Sequence, residues 1–202
     1  MKLYYASGAC SLAVHIALRE TGADFEPLAV DLASHRLGDG SSYLDVAPRG
    51  YVPMLELPDG SRHTEVAALL QFVADRAPGH ALMGAPGSMR RLAVLEWLAF
   101  VATELHKNFY WLWHKETAES TRQAVKDKLA VRFEELERHL SRHDHLAEGG
   151  YSVADAYGFT ILNWTRFLGV SIARYPHLQA YLARVAARPA VQAALRVEGL
   201  LK

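Results

Sequence analysis

The chain is short of three things: cysteine, net charge and long apolar runs. Cys10 is the only cysteine among 202 residues. No internal disulfide can form, which fits a reducing compartment. Lys plus Arg and Asp plus Glu number 22 each, so no overall field draws in nucleic acid or an anionic membrane. No stretch approaches the roughly 20 apolar residues that a membrane span needs. Met1-Lys2-Leu3-Tyr4-Tyr5 has no apolar core ahead of a small-residue cleavage site, so no secretory signal is expected. Neither a Walker motif nor G-x-G-x-x-G occurs, which leaves a nucleotide site without support. These absences predict a cytoplasmic protein that meets neither nucleic acid nor membrane. What is present is a chain 50% hydrophobic by composition, enough for one large domain or two small ones.

The two halves have different periods. Residues 2–5 read as a strand. Residues 11–21 read as a helix, with Leu12, His15, Ile16 and Leu18 at helical spacing and Gly22 as its stop. A second strand is expected over 25–30, where Pro27 calls for a sheet edge or a bulge. Residues 33–50 read as loop, with a helical turn near 42–45. A strand over 52–57 begins at a proline, Pro58-Asp59-Gly60 marks a turn, and 62–64 returns. A helix over 65–76 follows, stopped by Pro78-Gly79. This is a small α/β domain with a mixed sheet. Residues 81–87 carry Pro86, Gly84 and Gly87 and read as a linker. From 88 to 202 the pattern is all helical, with helices over 88–113, 118–141, 153–167, 177–187 and 190–198. Ser152-Val153-Ala154-Asp155 has the form of a capping box.

Cys10 stands between the first strand and the first helix. Free N–H groups and the dipole at a helix start favour a thiolate, the nucleophilic form of cysteine. The bland alternative is a small buried hydrophobe. Thr64-Glu65 lies at a strand-to-helix junction, where N–H groups can bind a carboxylate; Glu65 also serves as an ordinary first-turn acid. His15 reads as a hydrogen-bonded core histidine and Ser11 as a helix cap. His139, His143, His145 and Asp144 suit a helix C-terminus better than a metal, and no metal site is expected.

The carrying stretches are Lys2-Leu3-Tyr4-Tyr5, Gly8-Ala9-Cys10-Ser11-Leu12, Pro48-Arg49-Gly50-Tyr51-Val52-Pro53, Thr64-Glu65, Glu104-Leu105-His106-Lys107, Ser152-Val153-Ala154-Asp155-Ala156-Tyr157 and Ala187-Arg188-Pro189. In this order they resemble a cytosolic glutathione transferase, and within that family the bacterial beta class. The resemblance implies a thioredoxin-like α/β domain over 1–80, ordered β-α-β-α-β-β-α around a mixed four-stranded sheet, a linker at 81–87, and an all-α domain over 88–202. It implies glutathione as co-substrate with no permanently bound cofactor. Cys10 and His106 would be catalytic, the histidine facing the cysteine and helping to lower its pKa. Glutathione would be held by His35, Val52, Pro53, Glu65, Val66, Thr103, Glu104 and Lys107. Thr103 and Glu104 would reach the neighbouring subunit's substrate, which makes a homodimer. On its own the Val52–Pro53 bond reads as an ordinary trans proline opening an edge strand; the resemblance implies cis.

An apolar electrophile is expected among Tyr5, Tyr110, Trp113 and Trp164, with Tyr5 also the runner-up hydroxyl for activating glutathione. Thiol–disulfide exchange or peroxide reduction through Cys10 is a further expectation. Four departures from the family pattern stand out. Val66 offers only its N–H where Ser, Asn or Gly is usual, Ala99 replaces Asn, and His35 replaces Lys. Ala13 leaves no second thiol. The first three are features that favour a non-catalytic binding or stress-response protein of the same fold, the alternative reading.

Overall fold

The computed structural model describes residues 1–201. The chain divides into two compact units. One is residues 1–78 joined by the segment from Arg188 onward; the other is Gly79–Ala187.

The first unit is built on a five-stranded mixed sheet, ordered β3-β2-β1-β4-β5. β1 (Lys2–Tyr5) runs parallel to β2 (Glu26–Asp31) and antiparallel to β4 (Met54–Glu56). β5 (Arg62–His63) and the two-residue β3 (Arg36–Leu37) form the edges. The fifth strand, β3, is one more than expected: Ser34 and His35 turn the chain back so that Leu37 pairs with Val30. It reaches only Val30 and Asp31, so Pro27 lies on an uncovered stretch of β2, where its missing N–H costs no ladder bond. No α-helix separates β2 from β4. The Gly-rich segment makes a single 3-10 turn at Tyr43–Asp45 instead.

β1 is central and its side chains alternate. Tyr4 joins Val30, Tyr43 and Met54 in a core on one face. Tyr5 meets His15 of α1 (Ser11–Glu20) on the other. Gly22, at φ +65°, ends α1 in a Schellman turn: its N–H bonds Arg19 O, and Ala23 N–H bonds Leu18 O. α1 packs against α2 (Val66–Ala74) and against the last helix, α9 (Pro189–Val197). The terminal helix thus belongs with the sheet unit and not with the helical one. Arg188 secures it through a two-pronged pair with Glu20, at 2.6 and 2.9 Å.

The second unit is helical. α3 (Met89–Phe100) passes into a π-helical segment, Val101–His106, and then α4 (Lys107–Trp113), where periodicity had predicted one uninterrupted helix. α5 (Glu119–Leu140), α6 (Val153–Leu162), the short α7 (Trp164–Phe167) and α8 (Pro176–Ala186) complete it. Every residue of α6 is buried. Gly158 lets its neighbours approach: a Cβ there would meet Leu146 Cδ1 at 2.9 Å and the Tyr181 hydroxyl at 3.2 Å. The capping box forms as the sequence predicts. The buried Asp155 carboxylate accepts from Ser152 N–H (2.8 Å), Ser152 Oγ (3.0 Å) and Leu146 N–H (2.9 Å).

Candidate active site

The first unit brings Cys10, Val52, Pro53 and Glu65 into one neighbourhood. Cys10 is the N-cap of α1, and Ser11 is its first helical residue. The cap expected of Ser11 is not what its hydroxyl makes; it bridges Ala6 N–H (3.2 Å) and Ala6 C=O (3.3 Å), closing the loop from the other side. The Cys10 thiol donates to Val52 C=O at 3.3 Å, and the Val52–Pro53 bond is cis.

The thiolate expected at Cys10 is corrected. Burial pushes the thiol up to about 12. The backbone N–H groups of Cys10 and Ser11 oppose this, and the Glu65 charge adds to it. The helix start acts on the sulfur as reasoned, but desolvation is the larger effect. A protonated thiol that donates to a carbonyl is the consistent state.

Glu65 is the N-cap of α2 and holds φ +71°, ψ 112°. A non-glycine residue with positive φ is held there by its surroundings at a cost of about 1–3 kcal/mol, and such residues are enriched at functional sites. Its side chain is exposed and caps nothing, leaving a carboxylate beside the first-turn N–H groups of α2. Val66, the first residue of that turn, is buried. His35 also has positive φ (52°), and its ring lies over Gly50, where a Cβ would come within 2.7 Å of it. Tyr5 is buried beside His15, its hydroxyl raised by burial and by the Glu198 charge. That environment suits a core tyrosine better than the substrate pocket or hydroxyl donor expected of it.

In the second unit Thr103, Glu104, His106 and Lys107 share one turn at the end of the π segment. An extra residue per turn re-aims these side chains, and such bulges are frequent at functional sites. His106 Nδ1 lies 2.6 Å from the Tyr157 hydroxyl and its ring 5.1 Å from Trp164, which meets Trp113 at 5.8 Å. Burial, then the Lys107 charge, bring His106 down to about 4. It is therefore a neutral imidazole at pH 7, with no charge to help lower the Cys10 pKa as the resemblance implied.

For Glu104, burial raises the carboxyl but hydrogen bonding from Arg132 at 2.8 Å, with the Lys128 charge, outweighs it, and the net shift is downward. Thr103 is exposed and donates to Ala99 C=O. Tyr110 lies on α4, three residues before Trp113. It packs on His114 at 4.2 Å and lines an open cleft of about 410 Å³ with Trp111, Thr117 and Thr121. Among the described residues no three His, Cys, Asp or Glu side chains gather as metal ligands.

Sequence reasoning did not single out Glu198 and Ser7 beside Cys10, or Tyr157 and Arg132 as partners of His106 and Glu104. Gly199, just past the last helix, is a local signal that could have pointed to a shaped C-terminus.

Two domain families match: glutathione S-transferase, N-terminal domain, over residues 8–76, and glutathione S-transferase, C-terminal domain, over 95–189. The chain is 40% identical over 200 residues to glutathione S-transferase GstA of Escherichia coli O157:H7, covering 99% of this chain and 100% of that protein. A beta-class glutathione S-transferase of Sphingomonas chungbukensis superposes with a TM-score of 0.94 at 40% identity, covering 100% of both chains. A sphingomonad glutathione S-transferase complexed with glutathione does so with a TM-score of 0.94 at 44% identity, covering 99% of this chain and 100% of that one. The chain belongs to the glutathione S-transferase family. Within it, the similarity is to the bacterial beta class.

Proposed function

We propose that the chain binds glutathione on its first unit and conjugates it, through its thiolate sulfur, to an apolar electrophile, the thiol proton passing to solvent and any leaving group departing from the electrophile. The observation that carries the reading is Glu65, an exposed carboxylate held at positive φ on the start of α2 and close enough to act on the Cys10 thiol. Glutathione has two carboxylates, an amine and a thiol. Its γ-glutamyl amine suits Glu65. Its γ-glutamyl carboxylate suits the N–H groups of the first turn, Val66 included. The cysteinyl backbone suits Val52, whose N–H and C=O can pair with it as in strand addition.

A Cys10 thiol that keeps its proton acts as a donor: its S–H stabilises the glutathione thiolate, making that sulfur the nucleophile. The raised pKa argues against Cys10 as an attacking thiol in disulfide exchange at neutral pH. His106 contributes as a neutral hydrogen-bonding group, and the half-exposed Trp113, packed on the buried Trp164, offers an apolar surface for an electrophile. On the first unit His35, and on the second Lys107, each carry a group that suits a carboxylate of glutathione. Thr103 and Glu104 suit a substrate amine from a second copy, in a homodimer. The single cysteine suits a reducing cytoplasm.

The test is glutathione-dependent conjugation against a panel of aromatic chlorides, epoxides and ethers. Glu65→Ala is expected to raise KM for glutathione about tenfold or more with a smaller change in kcat, the mark of lost uniform binding. Absence of turnover with every electrophile would overturn the reading. Sedimentation at twice the chain mass supports the homodimer, and a monomer contradicts it.

A further inference from the structure

Glu198 follows the last turn of α9, some 190 residues from Cys10 in sequence. Gly199, at φ +70°, takes the left-handed position, Gly199 N–H bonds Arg196 O, and Leu200 N–H bonds Leu195 O. That pair of bonds is a Schellman turn, so the shape of this tail is locally encoded. It delivers three groups to the loop before Cys10. Ser7 Oγ donates to Glu198 C=O at 2.5 Å, and Gly8 N–H donates to Glu198 Oε2 at 2.9 Å. Leu200 roofs Gly8, its methyls 3.6 and 3.8 Å from where a Cβ would stand.

The other carboxylate oxygen, Oε1, lies 2.9 Å from His15 Nδ1, and both side chains are fully buried. Arg19 Nε donates to His15 Nε2 at 3.1 Å. Arginine only donates, so Nε2 must accept and the ring proton sits on Nδ1, facing Glu198. A buried carboxylate is costly unless its oxygens are satisfied. Here one oxygen is anchored on α1 and the other holds the loop.

We propose that Glu198 is a positioning residue for Cys10, fixing the Ser7–Gly8 backbone so that the thiol stays enclosed and aimed at Val52. The proposal rests on reading the Cys10 loop as part of the glutathione site. It adds a residue of the C-terminal tail to the first unit's part of the site, whose other residues lie within 1–78.

Three variants test it. Glu198→Gln keeps the shape but turns an amide NH2 against one of its two donors. Ser7→Ala removes one bond at an exposed side chain and leaves every charge in place, so it serves if the first variant folds poorly. Glu20→Gln weakens the Arg188 pair between α1 and α9 without touching the loop, and controls for loss of stability.

The readouts are the rate of Cys10 alkylation by iodoacetamide across pH, the kinetic constants for glutathione, and melting curves. Glu198→Gln and Ser7→Ala are expected to alkylate at least about threefold faster at pH 8, with profiles displaced toward lower pH. Glu198→Gln is expected to lose about tenfold in kcat/KM, the scale of a lost charge-assisted hydrogen bond. Glu20→Gln is expected to melt lower with unchanged alkylation. Wild-type alkylation profiles in both loop variants, or equal acceleration in Glu20→Gln, would overturn the proposal. A wild type without glutathione turnover would instead overturn the functional reading, and the alkylation comparison would still decide the role of Glu198.

Discussion

At Cys10 two opposing effects meet. The start of α1 supplies N–H groups that favour a thiolate, while enclosure of the sulfur favours the thiol, and enclosure prevails, pushing it up to about 12. Alkylation of the wild type should therefore be slow at pH 7 and keep accelerating beyond pH 9 without a plateau. A plateau near neutrality would contradict this. Oxidised glutathione should add to the wild type slowly and to Cys10→Ala not at all, as intact mass will show.

His106 gives the second prediction at this scale. Its imidazole is held down to about 4 from an ordinary 6.5. Between those values the unfolded chain binds a proton that the folded chain refuses. Folding stability should fall as pH drops from about 6.5 to about 4, by at most about 3 kcal/mol, and then level off in this contribution. Denaturation midpoints measured across that range in the wild type and His106→Gln check it: the variant should show the smaller fall. Cys10 and His106 could be picked out of the sequence, but their ionisation could not. Protonation follows burial, and burial is set by side chains distant in sequence, such as those around Trp164.

Elements were legible where the signal is local. Gly22 stops α1, a strand follows Pro53 although it spans 54–56 and not 52–57, and Ser152 with Asp155 caps α6. Ser152→Ala should lower the melting temperature, at a cost of about 1 kcal/mol, with glutathione kinetics unchanged. An unaltered melting curve would count against the cap. Other elements were not legible. β3 is two residues long and exists only because Leu37 finds Val30. The helix that the resemblance implied between β2 and β4 is only the helical turn that the residues themselves predicted near 42–45. The π segment has the same apolar periodicity as the α-helices it joins, and its extra residue per turn leaves no mark in composition.

For the whole molecule, the α/β part and the helical part follow the change of period near residue 80. Yet α9 returns to the sheet unit, where Glu20 and Arg188 pair across 168 positions and Glu198 reaches Gly8 across 190. Partnerships so distant leave no pattern in a single sequence, which is why a helix that reads as more of the helical half closes the other unit. The most direct test of the account is calorimetric titration with S-methylglutathione, which cannot form a disulfide, into the wild type and Glu65→Ala. The account predicts one saturable site per chain in the wild type and affinity at least about tenfold weaker in the variant, the scale of a lost charged contact. No binding by the wild type, or equal binding by both, would contradict it.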